Sequence, residues 1–140
     1  MVLICEGATE KIFIEYLIEN KWKDLAEKRV CVLDAMGKYN IHRFMNLFKE
    51  LGIYHSILLD KDNDAEIQNL INQFIENQKN DFTKKIYFFE KNIETFLGIS
   101  EPPRKRRDKK PLNVMWHYLK GKITQEKLDE LKTIINALLN

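Results

Sequence analysis

Acidic side chains follow two short apolar segments that lie far apart in the chain. Glu6 and Glu10 come after the apolar residues 2–5, and Asp60 and Asp62 come after the largely apolar residues 54–59. We expect both apolar segments to be buried β-strands. Ligands of open α/β sheets bind outside the carboxyl ends of the strands. The sequence therefore predicts a group of carboxylates at one edge of a sheet.

The spacing of these residues favours a site for a divalent cation. One helical turn could bring Glu10 back towards Glu6, and Gly7 between them suits a tight turn or a close ligand. Asp60 and Asp62 would lie on one side of an extended segment. Hard oxygen ligands suit Mg²⁺ or Mn²⁺, and the lack of clustered His and Cys argues against zinc. A bound ion would also offset the mutual repulsion of the carboxylates.

A structural explanation competes for some of these acidic residues. Carboxylates near helix N-termini interact favourably with the helix dipole, and this explanation stays open for Glu10. We assign Asp64 to it, as the residue that caps the third predicted helix. Glu6, Asp60 and Asp62 taken together favour the metal site.

The composition describes a soluble globular protein. The chain has 140 residues, of which 44% are hydrophobic and 31% charged, and we expect one domain over 1–140. No window approaches a membrane-spanning length, and the first apolar segment is too short for a signal peptide. Cys5 and Cys31 both lie in apolar segments, which favours a reduced, cytoplasmic setting, although a disulfide between them stays open.

Basic residues are concentrated in one segment. The net charge of +2 alone predicts no partner, but residues 104–110 contain six cations and one anion. Such a run is either a solvated loop or a surface that binds phosphate groups.

Short apolar segments alternate with helical periodicity along the chain. We predict strands at 2–5, 30–33, 54–59 and 86–89, helices at 9–20, 41–51, 67–75 and 93–97, a basic loop at 99–111, and closing helices at 112–119 and 125–139. Thr9 is a candidate cap for the first helix. This alternation predicts an α/β fold with a mostly parallel four-stranded sheet, flanked by helices and followed by C-terminal helices. Right-handed crossovers would place the loops that follow the strands at one edge.

The chain resembles the Toprim domain, which topoisomerases, bacterial primases and several nucleases share, in the segments LICEGATE and ILLDKDND. That family carries Glu-Gly after its first strand and Asp-x-Asp after its third, here Glu6-Gly7 and Asp60-x-Asp62. The closer resemblance is to the Toprim domain of the OLD-type (overcoming lysogenization defect) ATP-dependent endonucleases, which read Glu-Gly-x-Thr/Ser-Glu/Asp at the first site. The resemblance covers residues 2–119 and implies a Toprim-like Rossmannoid fold.

Three further positions match the OLD-type pattern. Its glycine-lysine loop after the second strand corresponds to Gly37 and Lys38. Its glutamate after the fourth strand corresponds to Glu94. Its late lysine corresponds best to Lys110, with Lys109 as the competing match.

The resemblance implies cleavage of DNA phosphodiester bonds with two Mg²⁺ or Mn²⁺ ions. It implies that Glu6, Asp60 and Asp62 bind metal directly, and that Glu10 and Glu94 complete the coordination of the second metal ion or act on it through waters. Lys110 would stabilise charge on the phosphate. Lys38 either contacts phosphate or is a solvated turn residue. The DNA backbone would be bound by the remaining basic residues, which are Arg104, Lys105, Arg106, Arg107 and Lys109.

Two departures from the OLD-type pattern matter. Those nucleases carry an ATPase domain before the Toprim domain, so we expect this chain to be an excised domain, a truncated product or a stand-alone relative with an ATPase domain or subunit as a possible partner. No Walker-type motif occurs, so we expect no ATP site. The alternatives are a regulatory Toprim module that binds nucleic acid but needs an ATPase partner, and a receiver-like phosphotransfer domain, which the Glu-Gly pair fits less well. The sequence leaves open whether the nucleic acid is DNA or RNA, and it leaves the oligomeric state open.

Overall fold

A single sheet organises the computed structural model, which describes residues 1–62 and 65–140. Its strands are β1 (Val2–Cys5), β2 (Cys31–Asp34), β3 (His55–Asp60) and β4 (Thr83–Phe89). The spatial order is β2-β1-β3-β4, and every neighbouring pair is parallel. The predicted α/β class is confirmed, and the sheet is entirely parallel.

Helices connect these strands and close the chain. The α-helices of the described residues are α1 (Ala8–Asn20), α2 (Lys23–Ala26), α3 (Ile41–Glu50), α4 (Glu66–Asn77), α5 (Ile93–Leu97), α6 (Lys110–Leu119) and α7 (Gln125–Leu139). Two 3₁₀ helices cover Lys38–Asn40 and Arg104–Lys109. None of the helices in the described ranges is long and apolar enough to cross a membrane.

The central strands explain why the two acidic segments meet. β1 and β3 are buried along their whole length, as expected for parallel strands covered on both faces. In the register of the sheet Cys5 lies beside Leu58, so Glu6 emerges next to the end of β3. The N–H of Glu6 donates to the carbonyl of Leu58 at 3.1 Å, which extends the pairing by one residue.

Alternating side chains of β1 enter two separate cores, one on each face of the sheet. Leu3 and Cys5 pack with buried residues of α1, α5, α6 and α7. Val2 and Ile4 pack on the other face with buried residues of α3 and α4. The sheet is therefore covered on both sides, and the loops at its C-terminal edge remain accessible between the two helical layers.

The structure corrects some predicted boundaries. Thr9 does not cap α1, because the capping position is Gly7 and Thr9 lies buried inside the helix. The short helix α2 was not predicted, and β4 begins at Thr83, ahead of its apolar half. The cap predicted at Asp64 lies outside the described residues.

The predicted basic loop at 99–111 is wrong over its second half. Residues 104–109 form a 3₁₀ helix, and α6 begins at Lys110 rather than at residue 112. Pro111 is compatible with this start, because the N–H groups of the first turn have no partner within the helix.

Candidate metal and nucleic-acid site

Glu6 is held at the sheet edge by three hydrogen bonds. Besides its own N–H bond to Leu58, its carbonyl accepts from the N–H of Gly37 at 2.9 Å. Its side-chain Oε2 accepts from the N–H of Asp60 at 2.9 Å. These bonds connect the residue after β1 to the segments after β2 and β3, so the position of Glu6 depends on the whole edge.

Asp60 and Asp62 join Glu6 to form the acidic cluster. One carboxylate oxygen from each of the three residues lies within 4.8 Å of the others. The predicted extended spacing of the two aspartates is wrong, because β3 ends at Asp60 and Asp62 has a left-handed backbone with φ of 50°. A turn, rather than strand alternation, brings the second aspartate to the cluster.

The short segment between the aspartates is itself anchored. The N–H of Lys61 donates to the carbonyl of Phe89 at 2.9 Å, and the side-chain amide of the buried Asn72 donates to the carbonyl of Lys61. The segment after β3 is thus tied both to β4 and to α4.

Glu10 and Glu94 lie deeper, on the side of the cluster that faces α6. Both are buried, and Glu94 has no exposed surface. The side chain of Asn92 caps α5 by accepting from the N–H of Thr95 at 2.9 Å, which defines the position of Glu94 in the first turn. In the described part of the chain, the set of oxygens that approach within 4.8 Å contains neither glutamate. The role predicted for both residues at a second metal ion stays a prediction.

Lys110 provides the cation beside these glutamates. Its Nζ lies 3.4 Å from Glu94 Oε1, and its side chain lines a cavity of about 310 Å³ together with Glu6, Glu10 and Asp60. Lys109, the competing match, is exposed. The packing of α6 against α1 brings Lys110 here from far along the chain.

Burial and mutual repulsion shift the acidity of the cluster. Burial raises the pKa of Asp60 to about 9, and the charges of Glu10, Glu6 and Asp62 add to this effect. Burial, together with the charges of Glu6 and Glu94, raises the pKa of Glu10 to about 7. Burial also raises the pKa of Glu6. The metal-free cluster therefore retains protons near neutral pH that isolated carboxylates would have lost.

Several carboxylate oxygens of the site lack hydrogen bonds. Asp60 Oδ1 and Glu94 Oε2 are buried without a hydrogen-bond partner within 1–62 and 65–140, and Glu94 Oε1 has the ion-pair contact with Lys110 at 3.4 Å. Buried polar atoms are nearly always paired in native structures. The unpaired oxygen of Asp60, next to Glu6 and Asp62, matches the preference of Mg²⁺ and Mn²⁺ for oxygen ligands. The residues present therefore fit a divalent ion.

Lys38 points into the site rather than to an open surface. Only 4% of the residue is exposed, and its Nζ lies 3.4 Å from Asp62 Oδ2 and 3.1 Å from Gln68 Oε1. Its predicted phosphate contact stays a prediction. Gln68 is a residue of the site that was not predicted from the sequence. Its position in the first turn of the helix that follows the Asp-x-Asp segment could have indicated it.

The basic segment lies beside the acidic cluster. All five of its predicted nucleic-acid-binding residues are exposed, namely Arg104, Lys105, Arg106, Arg107 and Lys109. Of these, Arg104 and Arg107 line a cavity of about 430 Å³ with all three residues of the acidic cluster and Lys110. Lys91, which was not predicted, lines it too. Acidic residues and cations thus share one opening.

The fold and the site together define a class of protein. A parallel α/β domain with clustered carboxylates at the carboxyl ends of its strands has the arrangement of a domain that could hold a divalent metal ion there. Residues 1–62 match the family described as "Overcoming lysogenization defect protein-like, TOPRIM domain". The match confirms, over these 62 residues, the resemblance to the OLD-like Toprim domain that is seen in the sequence. No curated protein is similar enough to the chain to count as a match.

The family match covers part of the site. It runs from β1 through Asp62 and includes Glu6, Glu10, Lys38 and Asp60, whereas Glu94 and Lys110 lie beyond it. Toprim domains are modules of the nuclease and primase type that bind divalent metals. The match supports a module of this type, and the acidic cluster is the place where it could hold a metal.

Proposed function

We propose that this chain is a metal-dependent endonuclease domain that hydrolyses DNA phosphodiester bonds with two divalent ions. The observation that carries the proposal is the acidic cluster of Glu6, Asp60 and Asp62, with Asp60 Oδ1 buried and unpaired in the described part of the chain. The Toprim family match supports the same class of chemistry.

The residues divide naturally between two metal positions. Glu6, Asp60 and Asp62 would hold one ion directly, since their oxygens are close enough to share it. The carboxylates of Glu94, whose Oε2 is buried without a partner in the described residues, and of Glu10 would complete the surroundings of a second ion. The chemistry that bound Mg²⁺ or Mn²⁺ supplies at such a site is the activation of water and the neutralisation of charge on the phosphate and leaving oxygen.

The cations of the opening suit a phosphodiester substrate. Burial alone would lower the pKa of Lys110, but Glu94, Asp60 and Glu10 outweigh this effect and raise it. Lys110 therefore stays protonated at neutral pH and can stabilise negative charge that builds up on the phosphate. Arg107 at the mouth of the same cavity can bind a backbone phosphate through paired N–H groups.

The proposal is tested by the nicking of supercoiled plasmid DNA by the purified chain. We expect cleavage with Mn²⁺ or Mg²⁺ and none with EDTA. Glu6→Gln and Asp60→Asn should each lower the rate by more than about 100-fold, because each removes a direct ligand rather than a supporting contact. Glu19→Gln, an exposed position on α1, is the matched control and should keep full activity.

Two results would contradict the proposal. Cleavage that survives in both ligand variants would show that the acidic cluster is not the reaction centre. Binding of DNA by the wild type without any cleavage would favour the regulatory module, which depends on an ATPase partner.

A further inference from the structure

The segment between β2 and α3, residues 35–40, contacts two residues of the acidic cluster. Its backbone contacts Glu6, and the side chain of Lys38 contacts Asp62. Asp34 Oδ1 accepts from the N–H of Met36 at 2.7 Å, and the N–H of Gly37 donates to the carbonyl of Glu6. Met36 and Gly37 both have positive φ values, of 58° and 119°. Sparsely populated backbone conformations persist where the surrounding structure holds them, and they concentrate at functional sites. The loop is thus held in an unusual shape against the backbone of Glu6.

Lys38 extends from this loop to the opposite side of the cluster. A buried ammonium group is costly unless its donors are paired. The acceptors that the described residues offer to Lys38 Nζ are Asp62 Oδ2 and Gln68 Oε1. Gln68 lies in the first turn of α4, which is also tied to the segment after β3 through Asn72.

Asp62 is the ligand that most needs such support. It follows the end of β3, and its left-handed backbone is a conformation that residues with a side chain adopt infrequently. The contact with Lys38 Nζ uses Oδ2 of this carboxylate.

We propose that Lys38 is a positioning residue that holds Asp62 in its metal-binding orientation, and that Gln68 in turn positions Lys38. The inference rests on the proposed metal site and adds a supporting contact to it. Lys38 would touch neither the metal nor the scissile phosphate. Its role is to hold the carboxylate of Asp62 near Glu6 and Asp60 before the ion arrives.

The direction in which the removal of the Lys38 ammonium group changes metal affinity distinguishes a positioning role from a purely electrostatic one. Removing an ammonium group next to a metal ligand should strengthen the binding of a divalent cation if only Coulomb repulsion matters. It should weaken the binding if the ammonium holds the ligand in place. Residues that support metal ligands typically contribute 10–100-fold to metal affinity or activity.

The experiment is isothermal titration of the full chain with Mn²⁺, so that no cleavage activity is required. We expect Lys38→Met to weaken Mn²⁺ affinity by about 10–100-fold. Gln68→Ala should weaken it by a smaller factor, since Lys38 remains. Lys61→Met is the matched control: it removes the same charge between the two aspartates, but that side chain is 43% exposed and pairs with Glu90. Its Mn²⁺ affinity should be unchanged or slightly higher.

Equal or tighter Mn²⁺ binding by Lys38→Met would overturn the positioning role while leaving the metal site intact. Thermal unfolding in EDTA establishes whether each variant is folded, and if Lys38→Met is not, Gln68→Ala is judged by the same criterion. Failure of the wild type to bind Mn²⁺ would overturn the proposed function and this inference with it.

Discussion

Replacing Glu10 with glutamine is expected to stabilise the metal-free protein at neutral and alkaline pH. Glu10 lies in the first turn of α1 and is 4% exposed. Its ionised form is opposed by burial and by the charges of Glu6 and Glu94. Glutamine keeps nearly the same shape and cannot ionise, so it removes this cost.

The magnitude follows from the shift in acidity. The pKa of Glu10 rises from 4.5 to about 7 on folding. Each pKa unit corresponds to about 1.4 kcal/mol, so ionised Glu10 costs at most about 3 kcal/mol. Between these two values the folded state binds a proton that the unfolded state has lost, so stability falls as the pH rises. The cost is absent below pH 4.5 and fully present above pH 7.

The assay is urea unfolding in EDTA at pH 4.5 and pH 8. Glu10→Gln should match the wild type at the lower pH and exceed it by up to about 3 kcal/mol at the higher. Added Mn²⁺ should stabilise the wild type more than the variant, because a bound cation offsets the repulsion. Glu19→Gln, exposed on the same helix, should show no such pH-dependent gain. A difference between Glu10→Gln and the wild type that is the same at both pH values would refute the reasoning.

Three other substitutions have defined outcomes. Gly37→Ala should lower the free energy of unfolding in urea by about 1–3 kcal/mol, because φ of 119° with ψ of 150° is a backbone conformation that only glycine adopts readily. The control Gly7→Ala should lower it much less, because Gly7 has an extended backbone and the new Cβ would lie no closer than 3.7 Å to Glu10. Lys110→Met should lower the free energy of unfolding by about 3 kcal/mol, because it leaves the buried Glu94 carboxylate without its cation. This loss should largely disappear when Glu94 is also replaced by glutamine. Arg107→Ala should lower the slope of log affinity for DNA against log salt by about 0.9 if this residue contacts one phosphate, which a filter-binding titration measures; an unchanged slope would exclude that contact.

Local pattern was sufficient to predict most of the fold. Apolar runs of four to six residues that alternate with helical periodicity predicted each strand and each longer helix, because both signals reside in neighbouring residues. The errors fell where that signal is weak. Residues 104–109 are charged throughout and have no apolar period, so their 3₁₀ helix could not be read from the pattern.

The candidate site, like the fold, was predicted only in part from the sequence. Glu6, Asp60 and Asp62 were predicted from their positions at strand ends, and the structure brings their oxygens together. The geometry of Asp62 was predicted incorrectly, because the turn that it adopts depends on contacts with distant residues. The places of Glu94 and Lys110 followed from a family resemblance, and the structure brings both beside the cluster.

By itself, the sequence determined which residue types leave each strand and hence the class of fold and the chemistry of the site. Only the tertiary structure decided that Lys38 is buried against Asp62 and Gln68, and that burial and neighbouring carboxylates raise the pKa of Asp60. Charge state and pairing depend on burial and on neighbours far along the chain. Those are properties of packed elements, and no local stretch of residues carries them.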